Sequence, residues 1–66
     1  MKNMMTLEST AAGLAAVKYR KKLSVNELAI KLGIGREKTR RLLRGEDVSL
    51  TFAQRDSVMD VINGKR

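Results

Sequence analysis

The sequence predicts an all-α domain built from four short helices, and three observations carry that prediction. Strand formers are sparse: proline is absent, and Tyr19 and Phe52 are the only aromatic residues. Apolar residues recur at intervals of three and four rather than alternating. The segments so marked are punctuated by glycines and by hydroxyl residues suited to capping. At 66 residues the chain is read as one domain, 1–66. A domain of that size buries about 60% of the surface its unfolded form exposes, so its core is thin.

The first helix is expected from Leu7 or Ser9 to Lys21. Leu7, Ala11, Leu14 and Val17 follow helical spacing. Ala11, Ala12, Ala15 and Ala16 favour the helix and allow close packing, while Gly13 is an interior weakness. Its basic end, Lys18 to Lys22, suits the negative pole of the helix dipole. Ser24 opens the second helix, because Ser24 and Glu27 have the S-x-x-E spacing of a capping box. Leu28, Ala29 and Leu32 face inward, and Gly33 closes the helix with a left-handed residue. The third helix begins after Gly35 and runs to about Arg44, where Gly45 stops it. Its apolar side is the least defined of the four, since Thr39 sits with Leu42 and Leu43. Ser49 is the expected cap of a fourth helix ending at Gly64, with Phe52, Val58, Met59, Val61 and Ile62 as its apolar surface. Tyr19, Phe52 and the four methionines are assigned to the core or the terminus. Val25 and Ile30 are read as exposed and pointing in different directions.

Composition removes several function classes. With no cysteine and no histidine, the chain has no disulfide, no thiol chemistry, and none of the ligand sets that zinc and most transition metals require. Nucleophile–histidine catalysis is excluded as well. No enzyme activity and no cofactor are therefore expected. No apolar run approaches the roughly 18 residues of a membrane span, and the first ten residues lack the apolar core of a secretory signal. A cytoplasmic protein is expected.

The net charge is +7, from 14 basic and 7 acidic residues, and its placement matters more than its size. Ten basic residues lie between Lys18 and Arg44, opposed only by Glu27 and Glu37; elsewhere four basic residues face five acidic ones. Such a concentration of positive potential attracts a polyanion. A basic run can also be a mere solvated face. The order of elements around it decides between the two readings.

Residues 23–45 read LSVNELAIKLGIGREKTRRLLRG. Two short helices, a three-residue turn and a basic second helix satisfy the requirements of a helix-turn-helix, with its core at 24–44. Ala29 is small where the helices cross, Gly33 permits the sharp turn, and Ile34 plugs the core beneath it. On these residues the segment resembles the lambda-repressor-like (Cro/repressor, xenobiotic-response-element type) helix-turn-helix family. The match comprises Leu23-Ser24, Leu28-Ala29, Leu32-Gly33-Ile34, Leu42 and Arg44-Gly45-Glu46, and with Leu14 and Val17 it extends over roughly Leu14 to Ile62. There are departures. Thr39 replaces the usual Ile or Val, which implies a looser seat for the third helix. Val25 replaces a phosphate-gripping Gln, Lys22 replaces a common Gly, and only Gly64-Lys65-Arg66 stands where the family's fifth helix would follow.

Laid out at about 100° per residue, the third helix places Thr39, Leu42 and Leu43 on one side. Glu37, Arg40, Arg41 and Arg44 fall opposite, and Lys38 lies on the flank. The resemblance implies base contacts from the opening residues of this helix and from those one turn later: Arg36, Glu37, Arg40 and Arg41. Arginine suits the O6 and N7 of guanine. Glu37 either accepts from the amino group of cytosine or pairs with Arg40 or Arg41, and pairing is preferred because an unpaired carboxylate near phosphates is costly. Phosphate contacts are expected from Lys18, Lys22, Lys31, Lys38 and Arg44, and from the helix opening at Ser24 and Asn26, where the dipole is positive.

The function these features imply is a sequence-specific double-stranded DNA-binding transcriptional regulator. It would be a repressor of the phage or mobile-element type, acting as a homodimer on operator DNA with no small-molecule ligand and no membrane partner. Two half-sites about 34 Å apart are expected, with the fourth helix as the dimer contact. Two other readings stand beside it: an excisionase-like architectural factor that bends DNA, and an antitoxin-type module that binds a protein.

Overall fold

The computed structural model describes residues 6–65. Four helices follow one another: α1 Leu7–Lys21, α2 Val25–Leu32, α3 Arg36–Leu43 and α4 Phe52–Ile62. Among the described residues there is no strand. Helices α3 and α4 each pack across both α1 and α2, so the core lies where all four meet.

Each helix begins for a local reason. Thr6 caps α1, its side chain accepting from the Ser9 amide, so the helix starts at the earlier of the two expected positions. At α2 the expected box is present: the Ser24 hydroxyl accepts from the Glu27 amide at 3.1 Å, and the Ser24 amide donates to Glu27 Oε1 at 2.8 Å. The cap of α4 differs from the expectation. Thr51, not Ser49, holds that position, with Gln54 completing a second reciprocal box. Gln54 lies three residues after Thr51, whereas Phe52 lies three after Ser49 and offers no side-chain acceptor.

The helices also share one way of stopping. Lys22, Gly33, Gly45 and Gly64 take left-handed backbone angles, φ 56°, 74°, 83° and 78°. The residue after each donates its amide to a carbonyl five positions back: Leu23 to Lys18, Ile34 to Ala29, Glu46 to Arg41 and Lys65 to Asp60. This closure satisfies carbonyls that the helix leaves unpaired. Three of the four sites use glycine. Lys22, where the resembling family commonly has glycine, adopts the same conformation with a Cβ present, at a cost of about 1–2 kcal/mol.

The core consists of Leu14 and Val17 from α1, Leu28, Ala29 and Leu32 from α2, and Ile34 from the turn. Thr39 and Leu42 of α3 and Val58 and Val61 of α4 complete it. Leu23, Leu43, Val48, Leu50 and Ile62 pack around its edge. The two aromatics are not part of it. Tyr19 is 87% and Phe52 86% exposed, which overturns their assignment to the core. Tyr19 lies two residues from the buried Val17 on α1, on the far side of that helix. Phe52 is the first residue of α4, a full turn and a half before the buried Val58. Val25 is half-buried rather than exposed, whereas Ile30 is 81% exposed. Met59 is half-buried, and Met1, Met4 and Met5 lie outside the described residues.

At Gly13 the α4 residue Ile62 lies close against α1. A Cβ built there would lie 2.9 Å from Ile62 Cγ2 and 3.3 Å from Cγ1, so the apparent weakness is a contact surface. Glycine costs α1 about 1 kcal/mol of helix propensity relative to alanine, offset by the close approach it permits. In urea denaturation, Gly13→Ala is expected to yield none of that 1 kcal/mol in the native background. The same change in an Ile62→Ala background is expected to recover it, and equal effects in both backgrounds would refute the close-contact explanation.

Lys22→Gly should raise stability by about 0.5–1 kcal/mol. That is the relief of left-handed strain less the added freedom of the unfolded chain. A fall in the denaturation midpoint would show that the lysine side chain contributes more than its backbone costs.

Candidate nucleic-acid interface

Eight residues form too short a helix to persist alone in water, so the orientation of α3 comes from what it buries. Thr39 is fully buried and Leu42 is 4% exposed, and α3 packs against both α1 and α2. The Thr39 hydroxyl donates to the Gly35 carbonyl at 3.0 Å, and the Thr39 amide donates to the same oxygen at 3.0 Å. A buried hydroxyl satisfied this way leaves no unpaired polar group in the core. Thr39 is thus closely seated, contrary to the looser fit that its polarity suggests.

With that side fixed, the opposite side is determined. Arg36, Glu37, Arg40, Arg41 and Arg44 are all exposed. Arg41 Nε lies 3.9 Å from Glu37 Oε2, one turn earlier, and 3.9 Å from Glu46 Oε1; Arg44 Nε donates to Glu46 Oε2 at 3.0 Å. Glu37 therefore faces Arg41, the pairing expected of it, and not Arg40. Glu46 touches both Arg41 and Arg44. These carboxylates meet the guanidinium groups at Nε, on one edge of each planar fork. Arg36 and Arg40 have no carboxylate partner among the described residues. Exposed pairs of this kind contribute at most about 1 kcal/mol each, so they orient side chains more than they stabilise the fold.

The remaining candidates divide by availability. Lys38 is half-buried and its Nζ donates to the Ser49 carbonyl at 2.9 Å. It ties α3 to the segment before α4, and a phosphate would have to compete for it. Lys31 and Lys18 are half-buried, and Lys22 is exposed in its left-handed turn. Ser24 has both its hydroxyl and its amide engaged by Glu27. At the positive end of α2 the amides left for an anion are those of Val25 and Asn26.

Sequence reasoning missed two features here. Glu46 was assigned no role beyond the family pattern, although the turn at Gly45 was a signal that the chain folds back beside Arg41 and Arg44. The tie from Lys38 to a backbone carbonyl eleven residues on has no sequence signature. Among the described residues no cluster of three or more metal-binding side chains exists, and no helix is long and apolar enough to cross a membrane. Comparison with protein-family models, curated proteins and solved structures gave no match.

Thr39→Val tests how α3 is seated. A methyl in place of the hydroxyl would stand about 3.0 Å from the Gly35 oxygen, inside the roughly 3.5 Å that carbon contacts favour. The variant is expected to lose about 1 kcal/mol in urea denaturation, although valine is the more apolar residue. A gain in stability would show that the hydroxyl is tolerated in the core and not used there.

Proposed function

We propose that the chain is a sequence-specific DNA-binding regulator of the lambda-repressor-like helix-turn-helix type, acting on operator DNA as a repressor and as a homodimer. The observation that carries this reading is the division of α3 into two sides. Thr39 and Leu42 are buried, while Arg40, Arg41 and Arg44 project from the opposite side and Arg36 from its flank, all four exposed. A helix of eight residues is about 12 Å long, comparable with the width of the B-DNA major groove, about 12 Å. The three-residue turn at 33–35 ends in an extended Gly35, the residue that precedes α3.

In this reading Arg36 and Arg40 read base edges, since no carboxylate competes for them. Arg41 has Glu37 and Glu46 each 3.9 Å from its Nε, on the edge away from the terminal nitrogens that would meet a base. Lys31, Lys22 and the free amides of Val25 and Asn26 set the register on phosphates without reading sequence. Arg44, bonded to Glu46, is a phosphate contact at the far end of the helix.

Selection of bound sites from random duplex DNA tests the proposal. A short two-fold-symmetric site is expected. Absence of any enriched sequence would overturn it. A footprint of many adjacent, phased sites would instead favour DNA bending, and a stoichiometric protein partner without salt-sensitive DNA affinity would favour a protein-binding module. On the selected site, Arg40→Ala should lose about 1–3 kcal/mol of discrimination at one base pair. Lys31→Ala should weaken specific and random DNA alike, lowering the salt-dependence slope by about 1.

A further inference from the structure

An open groove of about 430 Å³ lies between the start of α1, the segment joining α3 to α4, and α4 itself. Val48, Leu50 and Met59 form its apolar part above the buried Leu42 and Val58, and Asp47, Arg55 and Asp56 stand at its charged edges. Phe52 precedes Arg55, Asp56 and Met59 by three, four and seven residues. All four therefore share one stripe of α4, and the last three line the groove. Phe52 itself is 86% exposed. A bare aromatic ring beside an unfilled apolar groove is a pattern of association surfaces, where aromatics supply most of the binding energy.

We infer that this α4 face is a two-fold interface with a second copy of the chain, in which Phe52 of each copy enters the groove of the other. Two observations select this occupant. Projection and groove belong to the same face, which is what an isologous contact requires. The charges agree as well. Arg55 and Asp56 are adjacent and opposite in sign, so a two-fold axis passing between them sets each against its complement. The groove lining carries Asp47 and Asp56 against Arg55, a net −1 in a chain of +7. Two strongly cationic molecules approach with least repulsion there, and the basic side of α3 takes no part in the contact. The inference deepens the reading as a dimeric regulator by naming the surface through which the copies meet.

The test is sedimentation equilibrium of the free protein, without DNA, from micromolar to millimolar concentration. A reversible monomer–dimer equilibrium is expected. Phe52→Ala should weaken it at least about tenfold with the thermal midpoint of the dilute protein unchanged, because the ring lies outside the core. Arg55→Asp and Asp56→Arg should each weaken association, and the double reversal should restore it. A native chain that stays monomeric at millimolar concentration would overturn the inference, as would a dimer indifferent to Phe52→Ala or a double reversal that recovers nothing. Failure here is separable from failure of the DNA reading: a monomer that still selects a sequence keeps the role of α3 and loses only this interface.

Discussion

Everything proposed for this protein depends on one buried contact, the burial of Thr39 and Leu42 of α3 in the core formed with α1 and α2. Alone, α3 is two turns of a peptide carrying five charged residues, and in water it would not stay helical. Packed, it has a fixed axis and a fixed rotation, and each exposed side chain inherits a direction. The precision of the basic surface is borrowed from a core of ten small or medium side chains, none of them aromatic. That core is thin enough for a single misfit to matter, which is why closure at Gly33 and close contact at Gly13 are structural requirements.

Much of this was legible in the chain, because the relevant signals are local. The capping box at Ser24, the closure at Gly33 and the apolar spacing of Leu28, Leu32 and Leu42 each depend on residues within a turn or two. What was not legible depends on distant partners. Gly13 reads as a defect until Ile62, 49 positions later, is seen to fill the space above it. Val48 and Leu50 lie in a segment without periodicity, and only the fold reveals that they pack on the core. Phe52 was misplaced because large apolar residues are usually buried. At the first position of α4, however, its stripe runs along the groove edge, while Val58 and Val61 occupy the stripe that faces the core.

The candidate site divides in the same way. That Arg40, Arg41 and Arg44 share a side follows from helical geometry once Leu42 is known to be buried. How they are partnered does not. Glu46 reaches Arg41 and Arg44 because the chain reverses at Gly45, and Lys38 is diverted to a backbone carbonyl across a gap of eleven residues. These contacts sort a run of similar cations into different kinds. Among the described residues Arg36 and Arg40 have no carboxylate partner, Arg41 and Arg44 meet carboxylates at one edge, and Lys38 donates to a backbone carbonyl. A basic stretch that looks uniform in sequence is therefore uneven in what it offers a ligand.

The distribution of charge also restricts how two copies can combine. A chain of +7 repels itself at long range, and the repulsion is strongest between the surfaces that would bind a polyanion. An interface built from the α1–α3 surface would set like charges together and cover the arginines. The α4 face avoids both consequences, since it holds Asp47 and Asp56 against Arg55, and the exposed ring of Phe52 stands beside an open groove. A contact confined to the α4 face would leave the α3 guanidinium groups of both copies free. It would also fix the distance between them, the quantity that must match the repeat of a duplex for both to bind at once.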